Sequence, residues 1–248
     1  MQCRPSRMAE LSWRDGATPV SAAFGEGYFG ASDGLGEARH VFLGGNDLPA
    51  RFRDGFHIAE LGFGTGLNAV AAAHAWRESG TAGTLRITSF EAWPMAAEDM
   101  ARALAPWPDL EPLAREVIAA WAAGARRCEL PGGDAGGAVM IEVIEGDARL
   151  TLPRWPGRAD AWFLDGFSPA RNPELWEPGL MAEVAARSAP GATFATYSAA
   201  GAVRSALTAA GFTVERVRGF ANKKHMTRGR LIPGSGVTGE PGVEGASP

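Results

Sequence analysis

The sequence predicts an α/β protein built on a mostly parallel sheet of seven strands, with helices on both faces and an N-terminal hairpin extension. Two observations carry that reading. Short apolar runs alternate with stretches of helical character, the pattern of consecutive βαβ units. Glycines and acids follow those runs closely, as in Glu60-Leu61-Gly62, Phe90-Glu91, Glu145-Gly146-Asp147 and Leu164-Asp165-Gly166. An open parallel sheet binds its ligand outside the carboxyl ends of its strands, so these positions are where chemistry is expected.

The first 35 residues are Gly-rich and irregular. Residues 39–43, a Gly44-Gly45-Asn46 turn and residues 48–52 read as a hairpin, so 1–55 form an extension. Residues 56–61 are a buried strand and 67–78 an Ala-rich helix. Strands follow at 85–90, 139–144 and 161–164, with helical segments at about 94–104 and 110–123 between the first two. Residues 173–188 read as helix, 192–197 as strand, 200–210 as helix and 212–217 as strand, with a seventh strand at 226–232. Residues 56–232 thus form one domain. From Pro233 the chain holds five glycines and three prolines in 16 residues, which predicts a disordered tail over 233–248.

Of the 248 residues, 46% are hydrophobic and 21% charged, which excludes a disordered or fibrous chain. No apolar run approaches the roughly 18 residues of a membrane span, and the N-terminus lacks the apolar centre of a signal peptide. The two cysteines, Cys3 and Cys128, make no disulfide framework, and His40, His57, His74 and His225 have no metal-ligand spacing. A cytosolic protein with no membrane partner is expected.

Net charge is −4, but its distribution is uneven. The only lysines, Lys223 and Lys224, sit in a 15-residue stretch from 216 to 230 with six basic side chains and no acidic one. Such a patch can meet phosphates on an otherwise acidic protein. It can equally be a strand edge protected by charge.

The loop after the first strand reads Glu60-Leu61-Gly62-Phe63-Gly64-Thr65-Gly66-Leu67-Asn68. Its glycines allow a tight turn and a close ligand, with a helix N-terminus behind them. A dinucleotide loop would carry its third glycine at Leu67. An acid followed by Gly-x-Gly-x-Gly resembles instead the first motif of S-adenosylmethionine-dependent methyltransferases. Glu60, Gly62, Gly64, Gly66 and Asn68 are therefore expected around that cofactor, with a nicotinamide or flavin nucleotide and a purely structural turn as alternatives. Glu91 can accept hydrogen bonds from ribose hydroxyls, or merely sit at a helix N-terminus. Asp147 can accept the adenine amino group, or cap a short helix.

Asp165 leaves an apolar strand, Trp162-Phe163-Leu164, and is followed by Gly166-Phe167-Ser168-Pro169. This order parallels the Asp/Asn-Pro-Pro-aromatic motif of amino-group methyltransferases, in which the polar group holds the target nitrogen and the aromatic ring stacks on the base. Asp165 and Phe167 are thus the catalytic candidates, and a helix cap is the alternative for the acid. An RNA base would have to leave its stack to reach them. Tyr28 and Tyr197 either line the site or pack, whereas Trp93, Trp107, Trp121, Trp155 and Trp176 read as packing residues.

Together these blocks resemble the methyltransferase half of the bifunctional tRNA-modification enzyme MnmC, whose stand-alone form is called MnmD. Thr18-Pro19-Val20-Ser21, Tyr28-Phe29, Asp33-Gly34-Leu35, the glycine loop, Ser89-Phe90-Glu91 and Pro169-Ala170-Arg171-Asn172-Pro173 carry the resemblance, which runs on to Lys223-Lys224 and Met226. The sequence departs from that pattern at Gly25-Glu26-Gly27-Tyr28, at Tyr197-Ser198-Ala199-Ala200-Gly201 and at Lys224-His225-Met226.

The resemblance implies a Rossmann-like class I methyltransferase fold and S-adenosyl-L-methionine as donor. It implies methylation of the aminomethyl nitrogen on a 2-thiouridine at the tRNA wobble position, with Tyr28, Tyr197, Lys223 and Lys224 toward the tRNA. The flavin-dependent oxidase half is not in the sequence, so a separate oxidase or another route would supply the amine. Two competing readings remain open from sequence, a small-molecule amine methyltransferase and a non-catalytic tRNA-binding module.

Overall fold

The computed structural model describes residues 8–30, 33–132 and 136–233; the tail expected at 233–248 lies outside the described residues except for Pro233. Two short strands, β1 (Leu11–Arg14) and β2 (Thr18–Ser21), pair antiparallel at the N-terminus. The remaining strands form one sheet: β3 (His57–Leu61), β4 (Thr84–Glu91), β5 (Arg127–Leu130), β6 (Ala138–Glu145), β7 (Ala159–Leu164), β8 (Ser188–Thr196), β9 (Phe212–Arg218) and β10 (His225–Leu231). Their order is β5-β6-β4-β3-β7-β8-β10-β9. The five central strands run parallel, and β5, β9 and β10 run antiparallel to their neighbours.

The sheet has eight strands rather than the expected seven. The unforeseen one, β5, spans four residues and alternates exposed and partly buried positions at an edge. So short and polar a segment gives no apolar run to read. From β3 the chain builds outward through β4 and β6, then crosses back to β7 on the other side of β3. The reversal makes the carboxyl ends of β3, β4 and β7 the crevice where such sheets bind ligands.

Side chains alternate between two cores, as the pleat requires. Ile58, Phe163 and Ala195 face one cluster with helices α2 (Leu67–Glu78) and α4 (Glu111–Ala122). Ala59, Trp162 and Phe194 face the other, with α6 (Pro178–Ala186) and α7 (Gly201–Ala209). Among the described residues no helix is long and apolar enough to cross a membrane.

The hairpin expected over 39–52 is not formed; the N-terminal hairpin is β1–β2 instead. Helix α1 (Gly34–Ala38) continues through a wider-wound turn, Arg39–Leu43, into a tighter one, Gly44–Asn46. Asp33 starts it, its Oδ1 accepting the Gly36 N–H at 2.8 Å. The two glycines read as a turn because Gly is common in turns, yet Gly45 serves close packing. A Cβ there would lie 2.6 Å from Ala195 Cβ and 2.9 Å from Met226 Cε. Asn46 is fully buried and fastens this helical run to the sheet. Its Nδ2 donates to the carbonyls of Phe42 (2.9 Å) and Trp162 (3.2 Å), and its Oδ1 accepts from Thr193 Oγ1 at 2.6 Å.

Replacing Asn46 by Ala strands these groups away from water, so urea denaturation should show a loss of about 2–3 kcal/mol.

Candidate active site

The turns after β3 and β7 meet. Gly62, Gly64 and Gly66 adopt φ of 89°, 54° and 81°, in the left-handed region that side chains resist. Gly62 is also confined by space, because a Cβ would lie 2.8 Å from the main-chain oxygen of Asp165. Gly64 lies under Tyr28, whose Cδ1 would be 3.0 Å from such an atom. Beside the loop opens a cleft of about 1000 Å³, walled by the β3, β4, β6 and β7 turns and by the N-terminal extension. A volume at the top of the range for small-ligand sites can hold a nucleoside cofactor and a second group together.

Asp165 lies on the cleft wall, partly exposed to it. Its Oδ1 accepts the Gly166 N–H at 2.9 Å, and its Oδ2 accepts from Asn68 Nδ2 at 2.7 Å. Burial, reinforced by the charge of Glu37 and opposed by the Asn68 hydrogen bond and by Lys223, pushes its carboxyl up to about 7. Asn68, at the start of α2, lines the same cleft.

Glu91, at the end of β4, also lines the cleft. Its Oε2 accepts the Gly64 N–H at 2.8 Å and its Oε1 the Trp93 N–H at 2.6 Å. Burial raises its carboxyl while these backbone donors pull it down, with burial the stronger. The Phe63 and Ala92 backbone groups act on the same carboxylate.

Four expectations need correction. Glu60 is 0% exposed and forms no part of the cleft wall, so it stands behind Asn68 rather than against a ligand. Asp147 lies on the wall but works as a helix cap. It accepts from the Arg149 N–H at 2.9 Å and holds the Arg149 guanidinium at 2.6–3.1 Å, which keeps its carboxyl below the usual range. Lys224 is exposed and away from the cleft, whereas its neighbour Lys223 lines it. The lysines part where Glu37, itself on the cleft wall, pairs with Lys223. Trp93, read as a packing residue, is on the cleft wall.

Phe167 and both tyrosines gather at the same end. Phe24 stacks on Phe167 at 4.5 Å, and Tyr28 meets it edge-on at 5.1 Å, so one ring face is already covered. Tyr197 donates its hydroxyl to the Gly166 carbonyl at 2.6 Å. The Lys223 ammonium stands 4.4 Å over the Tyr197 ring and pairs with Glu37.

Two acids missed from sequence hold this end together. Glu37 joins Lys223 to the Gly30 N–H, and Glu26 takes both the N–H and the hydroxyl of Ser168. Glu26 lies in a stretch already singled out by its departure from the resembled pattern. Glu37 gave no signal, because a lone acid on a short helix resembles any surface residue. Two of the three departing segments therefore meet the loop that carries Asp165, through Glu26 on Ser168 and Tyr197 on Gly166.

The basic stretch forms the β9–β10 hairpin on the sheet edge. Arg228 pairs with Glu215 and Asp47, and Arg230 with Asp47. Arg216, Arg218 and Lys224 are exposed.

Comparisons with known proteins agree with this geometry. A family model of S-adenosyl-L-methionine-dependent methyltransferases matches residues 108–232. The tRNA 5-methylaminomethyl-2-thiouridine biosynthesis bifunctional protein MnmC of Caulobacter sp. (strain K31) is 48% identical over 225 residues, covering 86% of this chain and 37% of its own. That of Aromatoleum aromaticum is 47% identical over 232 residues, covering 91% and 36%. The chain thus spans just over a third of the length of these relatives. The crystal structure of MNMC2 from Aquifex aeolicus superposes with a TM-score of 0.70 at 25% identity, covering 93% of this chain and 73% of that one.

The buried acid behind Asn68 makes a stability prediction. Burial pushes the Glu60 carboxyl from 4.5 up to about 8, so between those values the folded state binds the proton that the unfolded state releases. Stability therefore falls as pH rises through that window. Glu60→Gln, which carries no proton to lose, should match the wild type near pH 4 and exceed it above pH 8 by on the order of 5 kcal/mol in thermal or urea melts.

Proposed function

Because the chain belongs to the S-adenosyl-L-methionine-dependent methyltransferase family, we propose that it methylates the aminomethyl nitrogen of 5-aminomethyl-2-thiouridine at the tRNA wobble position. The observation that carries the proposal is the contact between the two turns. Asp165 stands against the glycine loop, and its carboxylate is bound to Asn68 at the start of the following helix. An acid so placed can hold an amine beside a methyl donor.

The residues present fit the cofactor. The left-handed glycines leave a cradle without side chains, and the Glu91 carboxylate on the cleft wall is the acceptor for ribose hydroxyls. Asn68, Gly62 and Gly64 form the methionine end and the β6 turn with the capped Asp147 the adenine end, while Gly66, off the cleft wall, faces Phe63 and Met100 and turns the loop into the helix. When bound, S-adenosyl-L-methionine supplies an electrophilic sulfonium methyl.

This chain's own work is to deliver a neutral amine. A primary amine with a pKa of about 10 is almost wholly an ammonium at pH 7. An ordinary carboxylate near 4 is about a millionfold too weak to take that proton, whereas one pushed up to about 7 falls short by only about a thousandfold. The ionised Asp165 therefore holds the ammonium by hydrogen bond, accepts one proton, and leaves a lone pair directed into the cleft. The proton then passes to water, so the acid is ready for the next turnover. Lys223, held on the cleft wall by Glu37 and Tyr197, works against a second positive charge there and so also favours the neutral amine.

The base enters at the aromatic end, where Tyr28 and the uncovered side of Phe167 give apolar contact. The exposed Arg216, Arg218 and Lys224 form the face that meets the anticodon-stem phosphates. The aminomethyl group itself must be uncovered beforehand. A flavin-dependent oxidase, on this polypeptide or another, would do so, in the cytoplasm where tRNA is modified.

Incubation with labelled cofactor and tRNA lacking the terminal methyl should yield 5-methylaminomethyl-2-thiouridine on nucleoside analysis; turnover of the free nucleoside alone would replace this reading with a small-molecule one. Asp165→Ala should lower transfer on the order of a thousandfold while calorimetry shows S-adenosylhomocysteine binding within a few-fold of wild type.

Replacing Arg216, Arg218 and Lys224 together by Gln should weaken tRNA binding and flatten the slope of log affinity against log salt by roughly two to three.

A further inference from the structure

We propose that Glu60 is a positioning residue for Asp165, acting through one shared amide, that of Asn68. The inference deepens the role given to Asp165 above and rests on it. Glu60 touches neither cleft nor solvent. Its Oε2 accepts from Ser89 Oγ at 2.5 Å and its Oε1 from Asn68 Nδ2 at 3.0 Å. The same Nδ2 gives its other hydrogen to Asp165 Oδ2 at 2.7 Å. One amide nitrogen has two hydrogens, and both are spent on acids that lie on neighbouring strands.

That arrangement fixes Asn68. If its amide flipped, a carbonyl oxygen would face two carboxylates, so Glu60 decides which end of Asn68 points at Asp165. Ser89, on β4, fixes Glu60 in turn. The result is a line from the centre of the sheet to the cleft, Ser89 to Glu60 to Asn68 to Asp165, in which each group orients the next.

The charge of Asp165 also helps to keep the proton on Glu60. Glu60 faces Asp165 and Glu91, while Asp165 faces Glu37, Lys223 and the Tyr197 ring in addition. Both are pushed up by burial, to about 8 and about 7, so they titrate over overlapping ranges as a pair. A proton resident on Glu60 lets Asp165 ionise at neutral pH, which the amine-accepting role requires.

Glu60→Gln and Glu60→Leu test this as a pair. Gln keeps an oxygen for Asn68 and gives an N–H to Ser89, and it is permanently neutral. The Asp165 carboxyl, assigned by its loss in Asp165→Ala, is followed by carbon NMR across pH with and without S-adenosylhomocysteine. Its midpoint should stay in place in Glu60→Gln, which reproduces the protonated Glu60, and rise by about half a pH unit or more in Glu60→Leu, which offers Asn68 no acceptor and so loosens its hold on Asp165. The acid limb of kcat should move the same way, with S-adenosylhomocysteine affinity within twofold.

Asn68→Ser cuts the line in the middle and should also raise the midpoint, since Asp165 loses a donor; it serves as a second handle if Glu60→Leu folds poorly. An unmoved midpoint in both Glu60→Leu and Asn68→Ser would overturn the inference, as would a fall in S-adenosylhomocysteine affinity in Glu60→Leu that matches its fall in kcat. A moved midpoint in a wild type that never methylates tRNA would sink the substrate reading and leave this coupling standing.

Discussion

The site depends on two stretches of backbone being allowed to touch. Where β3 ends, the chain turns with Gly62 in a left-handed conformation, and the carbonyl of Asp165 occupies the space a side chain would need. Parallel pairing of β3 with β7 sets Leu61 beside Leu164, so the next residues of both strands leave the sheet together. One turn gives a cradle without side chains, and the other an acid at its edge. Neither would function without the other within reach, and the sheet's register supplies that proximity before any side chain is considered.

Electrostatics follows from the same contact. Crowding two turns against a sheet centre removes water from Glu60, Glu91 and Asp165 alike, and all three carboxyls are raised. A cluster of buried acids costs stability, as functional sites commonly do. The protein offsets part of that cost with directed donors: backbone N–H groups on Glu91, the Asn68 amide between Glu60 and Asp165, and the Ser89 hydroxyl behind them. The acid that meets the cleft is left with only two donors, and so it retains an unusual affinity for protons.

Sequence showed the central sheet and the glycine loop because both are written in local patterns. Apolar runs gave the strands within a few residues, and Gly62, Gly64 and Gly66 sit together because one turn needs all three. Asp165 was visible for the same reason, at the end of an apolar strand. What stayed hidden was whatever depended on a partner far along the chain. The 39–52 segment reads as strand-turn-strand until Asn46 is seen reaching Trp162 and Thr193, more than a hundred residues away. Glu60 reads as a ligand-facing acid until its two oxygens are found engaged on α2 and β4. Glu37 and Glu26 are ordinary acids in sequence, and their work appears only when Lys223 and Ser168 arrive beside them.

The roof over the cleft comes from outside the central sheet. Phe24, Glu26 and Tyr28 precede its first strand, yet they lean on Phe167, Ser168 and Gly64 and close the aromatic end. On the proposed function, donor handling and acceptor choice fall to separable lengths of polypeptide. Inheritance can then recombine them: a lineage could exchange its opening fifty residues, and with them the shape of molecule admitted, while the strands that grip the nucleoside pass on unchanged.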